Sequence, residues 1–206
     1  MKIFVISDIH GSLSSFRAAM DAFTREGAEL LVICGDYLNH GPRNDIPAGY
    51  DTKGLAKALN EVKHLITGVR GNCDSEVDQM MLEFPVLAPY TNIVVPGEGG
   101  LADSHNPRSQ TGAVRRIFVH HGHLMTAEEA ARLNPAGTVI VSGHTHVPVL
   151  ERFSQEAEYI ALNPGSISIP KGGSEPGYAV IEVAAHSMEI RLCTLDGKVL
   201  KELKDI

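Results

Sequence analysis

Six of the ten histidines in this chain fall in three short clusters. His10 follows Asp8 by two residues, three histidines lie within residues 120–123, and His144 and His146 flank a single threonine. Imidazole nitrogen and carboxylate oxygen are ligands that suit borderline or hard divalent ions such as Mn, Fe, Co, Ni and Zn. The clusters therefore predict a metal centre built from nitrogen and oxygen donors, without sulfur.

Spacing and position favour one shared site. In an extended segment, residues two apart point to the same side, so Asp8 with His10, and His144 with His146, can each face one volume. Each polar cluster also follows directly on a predicted strand, and loops at the carboxyl ends of parallel strands converge on one edge of a sheet. The side chains expected to meet there are Asp8, His10, Asp36, Asn72, His121, His144 and His146.

Seven donors are too many for one tetrahedral ion and suit a pair of divalent ions. Two ions about 3.5–4 Å apart would acidify a water that they share, giving hydroxide near neutral pH, and would clamp a phosphoryl oxygen. The chemistry predicted is metal-assisted hydrolysis of a phosphoester.

Strand and helix patterns alternate in the first half of the chain. Predicted strands cover Lys2–Ser7, Leu30–Cys34 and His64–Val69, and predicted helices cover Leu13–Phe23, Asp51–Lys63 and Glu76–Leu82. Ser12 is available as the N-cap of the first helix, and Gly27 can close it. Such alternation indicates parallel strands joined by helical crossovers.

Strands dominate the second half. They are predicted at Asn92–Pro96, Arg116–His120, Thr138–Ser142, Val147–Arg152, Tyr159–Leu162, Tyr178–Val183 and Met188–Thr194, with one helix at Ala127–Leu133. The short connection 184–187 favours antiparallel pairing of the last two strands. We therefore predict an α/β fold in which two mixed sheets pack face to face with helices outside, a four-layer α/β/β/α sandwich.

Residues 1–206 are expected to form a single domain. The length and the 43% hydrophobic content suffice for one sizeable core, and no linker divides the chain. The stretch 97–115 lacks periodicity and is rich in glycine, serine, asparagine and proline, so it is predicted to be a surface loop insertion. It carries His105, Arg108 and Arg115, and it could either border a substrate cleft or simply lie on the surface without a role in binding.

Composition excludes several classes of protein. A formal net charge of -7 argues against stable nucleic-acid binding, because such surfaces neutralise many phosphates. No apolar run approaches the roughly 20 residues of a membrane span, and the first residues lack the features of a signal peptide, so the expected location is the cytoplasm.

The three cysteines are widely spaced without CxxC, which favours reduced thiols. The sequence leaves open whether the protein forms a homo-oligomer, because symmetric oligomers are common.

Five separated motifs resemble, in order and spacing, those of the calcineurin-like metallophosphoesterases. They are Asp8-Ile9-His10, Gly35-Asp36, Gly71-Asn72-Cys73-Asp74, His121 and Gly143-His144-Thr145-His146. Within that family, the segments 7–13, 38–44, 69–80 and 163–173 are similar to those of the small bacterial YfcE-type phosphodiesterases. The resemblance implies the same four-layer sandwich that the strand and helix patterns predict.

The resemblance also implies a ligand set. Asp8, His10 and His146 would hold a first metal, Asn72, His121 and His144 would hold a second, and Asp36 would bridge both. The implied activating ion is Mn²⁺, with Zn, Fe, Co or Ni as alternatives. Asn72 would in addition orient the phosphate, which makes it a catalytic candidate as well as a ligand.

One position departs from the family pattern. The family places after Gly-Asn a histidine that protonates the leaving group, whereas this chain has Cys73, a thiol poorly suited to act as an acid near pH 7. This departure disfavours monoesterase activity and makes His123 an alternative catalytic candidate. His40 and Arg43, in the loop after Asp36, are candidates for substrate binding, since a guanidinium can clamp a phosphate through its planar fork.

The function predicted is that of a binuclear-metal phosphodiesterase, in which metal-activated hydroxide hydrolyses a small phosphodiester substrate. One alternative is a phosphomonoesterase. Another is a non-catalytic scaffold of the same fold that binds protein partners, as the retromer subunit does. A scaffold has no need of a complete ligand set, so the seven filled positions favour an enzyme.

Overall fold

A computed structural model describes residues 1–95, 114–154, 158–184 and 187–204. In chain order the strands are β1 (Lys2–Ile6), β2 (Leu30–Ile33), β3 (Ile66–Gly68), β4 (Tyr90–Val95), β5 (Arg115–His120), β6 (Val139–Val141), β7 (Val149–Ser154), β8 (Glu158–Asn163), β9 (Gly177–Val183), β10 (Met188–Thr194) and β11 (Val199–Leu203). The helices are α1 (Leu13–Glu26), α2 (Thr52–Glu61), α3 (Glu76–Met81) and α4 (Ala127–Arg132), with a 3₁₀ turn at Lys63–Leu65. No helix in these ranges is long and apolar enough to cross a membrane.

The strands form two mixed sheets. The first has the order β11-β10-β9-β1-β2-β3, in which β1, β2 and β3 are parallel and β9, β10 and β11 pair antiparallel. The second has the order β4-β5-β6-β8-β7, in which β5, β6 and β8 are parallel and the two edge strands are antiparallel. Both sheets are therefore mixed, as predicted.

Three hydrophobic clusters hold the layers together. Between the sheets, Val5 of β1 and Val141 of β6 belong to one buried cluster. On the other face of the first sheet, Phe4 packs with Phe16 of α1 in a second cluster that also includes α2. Helix α4 covers part of the outer face of the second sheet, where it meets Phe118. This arrangement confirms the four-layer α/β/β/α sandwich.

Every predicted helix and strand is present, and the differences lie at sheet edges and at element ends. Strand β11 has no predicted counterpart, because its residues are largely exposed at the edge of the first sheet and show no alternation of burial. Strand β3 is shorter than expected, since Lys63–Leu65 form the 3₁₀ turn. Arg115 is the first residue of β5. The rest of the predicted insertion, with His105 and Arg108, lies outside the described residues except for Val114.

The loops that follow the parallel strands of the two sheets meet. The Ser166 hydroxyl, after β8, donates to the carbonyl oxygen of Asp8, after β1, at 2.7 Å. The Nδ1 atom of His121, after β5, lies 2.6 Å from the carbonyl oxygen of Cys34, after β2. The fold thus brings the carboxyl ends of both sheets to one edge of the sandwich.

Candidate metal centre

Two neighbouring loops carry Asp8, His10 and Asp36. The backbone N–H groups of Asp8 and His10 donate to the carbonyl oxygens of Gly35 and Asp36 at 3.1 and 3.0 Å, which continues the parallel pairing of β1 and β2 beyond the strands. All three of these side chains are buried. The sheet register therefore decides how these carboxylates and this imidazole face one another.

Backbone strain is concentrated at the same place. Among the described non-glycine residues, a positive φ occurs at Asp8 (54°), His10 (48°), Asp36 (57°), His144 (67°) and His146 (61°). Left-handed backbone costs a non-glycine residue roughly 1–3 kcal/mol, and it persists only where the surrounding structure imposes it. All five residues are predicted metal ligands, so the strain coincides with the expected functional site.

A first group of donor atoms forms around Asp8. Its Oδ1 atom lies 3.2 Å from Nε2 of His146 and 3.7 Å from Nε2 of His10. Its Oδ2 atom accepts hydrogen bonds from the Ser7 hydroxyl at 2.6 Å and from the His144 backbone N–H at 3.0 Å. In contrast, Oδ1 is buried without a hydrogen-bond partner. A buried carboxylate oxygen is thus left to face two imidazole nitrogens.

The tautomers of the histidines follow from their backbone contacts. Three Nδ1 atoms donate to carbonyl oxygens: His10 to Asn39 at 2.8 Å, His121 to Cys34 at 2.6 Å and His146 to Ile169 at 2.6 Å. Because a carbonyl only accepts, each Nδ1 carries a hydrogen, and in its neutral form each ring presents the lone pair of Nε2 to the site. This is the usual support of a metal-binding histidine.

A second group of donors adjoins the first through Asp36. Its Oδ2 atom lies 3.6 Å from Nε2 of His10 and 3.5 Å from Nε2 of His121. The same His121 nitrogen lies 3.1 Å from Oδ1 of Asn72, and the His144 ring centroid is 5.1 Å from that of His121. Asp36 therefore stands between the two groups of donors.

The residues present fit divalent metal ions. Donor atoms of Asp8, His10 and His146 lie within 4.8 Å of one another, as do those of Asp8, Asp36 and His121. The Nε2 atoms of His10 and His146 are 3.2 Å apart, so two lone pairs at that distance repel unless a proton or a metal ion lies between them. A cation would likewise stabilise Oδ1 of Asp8, which has no hydrogen-bond partner. Imidazole and carboxylate donors suit Mn, Fe, Co, Ni or Zn.

Cys73 lies near this centre without suiting it as a ligand. Its thiol belongs to a third group of neighbouring donors, together with His10 and Asp36. Burial, followed by the nearby Asp36 carboxylate, raises the pKa of Cys73 to about 12. The thiolate is the form that binds metal, so Cys73 stays a protonated thiol near pH 7.

Electrostatics favour a bound cation. Burial opposes ionisation of Asp8, but the close imidazoles of His10 and His146 outweigh burial and hold the pKa of that carboxyl well below its usual range. Burial likewise opposes protonation of His121, yet its contact with Asp36 and the Asp8 charge raise its pKa to about 9. The two buried carboxylates therefore stay ionised and attract positive charge at this place.

Asp74 is a structural support of the site to which the sequence analysis assigned no role. Its buried carboxylate accepts backbone N–H groups from Asp36 and Tyr37, both at 2.8 Å, and from Gly71 at 2.6 Å. It thereby ties the loop after β2 to the loop after β3. Its place in the Gly-Asn-Cys-Asp motif is a signal in the sequence, but two of the three amides that it binds, those of Asp36 and Tyr37, come from a distant segment.

Close packing against Asp36 requires a glycine at position 71. A Cβ atom at this position would lie 2.1 Å from Oδ1 of Asp36. That oxygen accepts the backbone N–H of Cys73 at 2.8 Å, so the carboxylate cannot move aside without losing a hydrogen bond. The glycine lets the third loop approach Asp36 closely enough to bring Asn72 to the centre.

A small cleft of about 40 Å³ opens beside the donors. It is lined by Asp36, Gly41, Pro42, Arg43, Asn44, Asn72, Cys73, His144, His146 and Lys171. Arg43 thus lies where a substrate-binding residue was predicted. Lys171 is an additional cation that the sequence analysis missed, although it stands in the segment 163–173 that carries the family resemblance. His40 is not among the lining residues and instead packs its ring against Tyr50, with centroids 5.5 Å apart.

The remaining clustered histidines divide between two places. The His123 ring lies 5.2 Å from the His121 ring and 6.2 Å from the His144 ring, and its Nδ1 atom is buried without a hydrogen-bond partner. His120 does not face the donors, since it lines a cavity with residues of α4 and β7. Of the two, only His123 adjoins the predicted metal centre.

The fold and the donor set are those of a metal-dependent phosphoesterase, and the chain belongs to the calcineurin-like phosphoesterase superfamily, whose domain model matches residues 1–186. It is 44% identical over 182 residues to phosphodiesterase YfcE of Escherichia coli K12, with 88% of each chain covered. A solved structure of E. coli YfcE matches with a TM-score of 0.79 and 40% identity over 100% of both chains. Zinc-bound Vps29 of Entamoeba histolytica, at 18% identity and a TM-score of 0.58 over 100% of both chains, shares the fold alone. The family predicted from the motifs is confirmed.

Proposed function

We propose that this protein is a binuclear metal-dependent phosphodiesterase that acts on a small phosphodiester. The main support is the buried convergence of unsatisfied donors, in which Asp8 Oδ1 faces the Nε2 atoms of His10 and His146 while Asp36 lies within reach of both His10 and His121. The 44% identical relative is named a phosphodiesterase, which supports the choice of a diester as substrate.

The proposed ligand assignment uses both donor groups. Asp8, His10 and His146 would hold one ion, Asn72, His121 and His144 would hold the other, and Asp36 would bridge them. We propose Mn²⁺, with Zn, Fe, Co or Ni as alternatives, because the donors are imidazoles, carboxylates and one amide. When bound, the ions supply positive charge to the phosphoryl oxygens and lower the pKa of water at the site.

The residues of the cleft bind and orient the substrate. Arg43 and Lys171 offer charge-assisted hydrogen bonds to the anionic oxygens of a phosphodiester. The Asn72 amide, held against His121, orients the phosphoryl group. His123 is the proposed partner for proton exchange with the leaving oxygen, since its Nδ1 atom is unused by the protein. The protonated Cys73 thiol is too weak an acid for that task.

The remaining parts of the proposal concern location and partners. We propose that the protein is cytoplasmic. We also propose that it forms no stable complex with nucleic acid, because its formal net charge is -7. Cell fractionation and a filter-binding titration test these two points. A homo-oligomer stays a prediction, which sedimentation analysis tests.

The experiment that tests the activity compares metal-free and Mn²⁺-loaded protein on a chromogenic aryl phosphodiester and on the corresponding monoester. We expect diester hydrolysis that depends on added metal and exceeds monoester hydrolysis. Asp36→Asn should reduce the diester rate by about 100-fold or more, because removing even an outer support of a metal site typically costs 10–100-fold. The matched control is Asp21→Asn, at an exposed position on α1.

Three outcomes would contradict the proposal. Hydrolysis independent of metal would exclude the metal mechanism. Faster turnover of the monoester would favour the phosphomonoesterase. Two bound ions per chain without turnover of either ester would favour the protein-binding scaffold.

A further inference from the structure

A second cavity, of about 310 Å³, lies on the outer face of the second sheet. It is lined by His120, Gly122, Met125, Thr126, Ala127, Glu128, Ser142, Gly143, Thr145, Val149, Glu151, Phe153, Ala161, Leu162 and Asn163. None of these residues lines the cleft beside Asp36. The cavity is therefore distinct from that cleft, although His120, Gly143 and Thr145 in its wall are sequence neighbours of the predicted ligands His121, His144 and His146. A molecule in this cavity would contact residues other than those proposed to bind metal.

The cavity exists because the outer face of this sheet is only partly covered. Helix α4 has six residues and packs its alanines against Phe118 and Ile140. Towards the carboxyl ends of the strands, the outward positions on β8 and after β6 carry the small residues Ala161 and Ser142. The space between these small side chains and the start of α4 is left open to a ligand.

His120 is buried in the wall of this cavity, and its ring nitrogens have no hydrogen-bond partner among the described residues. The residue is 2% exposed, and neither Nδ1 nor Nε2 makes a hydrogen bond. An unsatisfied buried polar group costs about 1–3 kcal/mol, which a native structure rarely tolerates without a bound molecule. A neutral imidazole offers one donor and one acceptor. The ring thus points to a ligand that carries a hydrogen-bonding group.

The other walls indicate the rest of the ligand. Met125, Val149 and Phe153 provide apolar surface, and a thioether beside a phenyl ring suits a flat aromatic group. The carboxylates of Glu128 and Glu151, both exposed residues, border the opening, where they repel anions and attract cations. The volume lies at the lower end of the roughly 300–1,000 Å³ typical of small-molecule sites.

We propose that this cavity binds a small aromatic or heteroaromatic amine in its cationic form. The ring packs between Met125 and Phe153, a polar ring atom bonds to His120, and the ammonium group faces Glu128 and Glu151. A phosphorylated or carboxylated ligand is disfavoured by the two carboxylates. The substrate cleft, with Arg43 and Lys171, has the opposite charge preference.

The test is isothermal titration calorimetry on the metal-loaded protein with two probes that share one ring system. Tryptamine carries a cationic chain, and indole-3-acetate carries an anionic one. We expect tryptamine to bind, and indole-3-acetate to bind roughly tenfold more weakly or not at all. His120→Phe keeps a planar aromatic ring, though a larger one, but removes both nitrogens, so it should weaken tryptamine binding by about tenfold. His64→Phe, at an exposed histidine of the 3₁₀ turn, is the matched control and should not change it.

If His120→Phe does not fold, two further variants test the proposal. Ala161→Leu fills the cavity from β8 and should abolish tryptamine binding. Glu151→Gln, at an exposed position, should weaken tryptamine but leave indole-3-acetate no weaker than before. The proposal is overturned if tryptamine does not bind, if it binds Ala161→Leu as tightly as the unaltered protein, or if both probes bind equally.

Discussion

At the scale of single residues, the predicted metal centre depends on the atoms that face away from it. His10, His121 and His146 each donate from Nδ1 to a backbone carbonyl, which leaves Nε2 as the inward acceptor. Asp8 is held through Oδ2, which leaves Oδ1 unsatisfied. In each side chain, the hydrogen bond made by one polar atom therefore determines which other polar atom faces the predicted metal centre. Proteins commonly orient metal ligands in this way.

Cys73 gives a prediction at this scale. The thiol lies 3.2 Å from the Asn72 side-chain nitrogen, and its pKa of about 12 leaves it unable to protonate an alkoxide near neutral pH. Cys73→His should raise kcat/KM for an alkyl phosphodiester relative to an aryl one by about tenfold or more, since general acid catalysis matters most for poor leaving groups. Cys73→Asn, which has similar bulk and no acidic proton, is the control. An unchanged alkyl-to-aryl ratio in a metal-loaded Cys73→His protein would count against the prediction.

At the scale of elements, helix α1 is anchored at both ends. Its first turn begins at Ser12, two residues after His10, where the Ser12 side chain accepts the backbone N–H of Ser15. Near its last turn, Glu26 accepts hydrogen bonds from the Tyr178 hydroxyl at 2.7 Å and from Arg191 at 2.8 Å. These contacts tie α1 to β9 and β10, and so hold the helix against the sheet that carries Asp8.

Glu26 gives a prediction with a defined pH dependence. Burial opposes its charge, but hydrogen bonds to Arg191 and Tyr178 outweigh burial and lower the pKa of Glu26 below its ordinary value of 4.5. Its stabilising contribution is therefore complete above pH 4.5 and is lost as the pH falls through the lowered, folded-state pKa. Glu26→Gln should reduce the free energy of unfolding at pH 7 by about 1–2 kcal/mol.

The measurement is chemical denaturation of both proteins between pH 7 and pH 3. The difference in unfolding free energy should be constant down to about pH 5 and should shrink as the pH falls further. Glu61→Gln, at an exposed position at the end of α2, is the control and should show no such difference. A difference that does not depend on pH would argue against an ionic contribution from Glu26.

At the scale of the whole molecule, the predicted metal centre joins the two sheets. Asp8 and Asp36 come from loops of the first sheet, and His121, His144 and His146 come from loops of the second. Ions bound between them would link the two halves of the sandwich at one edge. Loss of the ions should therefore affect the stability of the molecule as well as its activity.

Metal removal tests this link. A ligand that binds only the folded state stabilises it by about 2.7 kcal/mol at 100 times its Kd. Treatment with a chelator should lower the melting temperature in scanning calorimetry, and added Mn²⁺ should restore it. Asp36→Asn should lose most of this metal-dependent shift, whereas Asp21→Asn should keep it. Equal melting temperatures with and without Mn²⁺ would contradict a structural contribution of the centre.

Much of this molecule can be predicted from local patterns. Helix α1 is capped by Ser12 at its start and by Gly27, whose φ of 64° is left-handed, at its end, and both caps can be predicted because capping depends on neighbouring residues alone. The four-layer sandwich follows from the order of strand and helix patterns, and polar residues placed after parallel strands predict a common edge. These inferences succeed because short-range periodicity and residue type carry the information they need.

Other features arise only when distant segments meet. These features depend on the register between strands and on the packing of the two sheets. They are the left-handed backbone of Asp8 and Asp36, the binding of the Asp36 and Tyr37 amides by Asp74, the place of Lys171 at the cleft, and the His120 nitrogens without hydrogen bonds. Strand β11 likewise exists by pairing with β10 and shows no pattern of its own. Long-range packing decides which atoms are buried and left without a partner, and no local pattern contains that information.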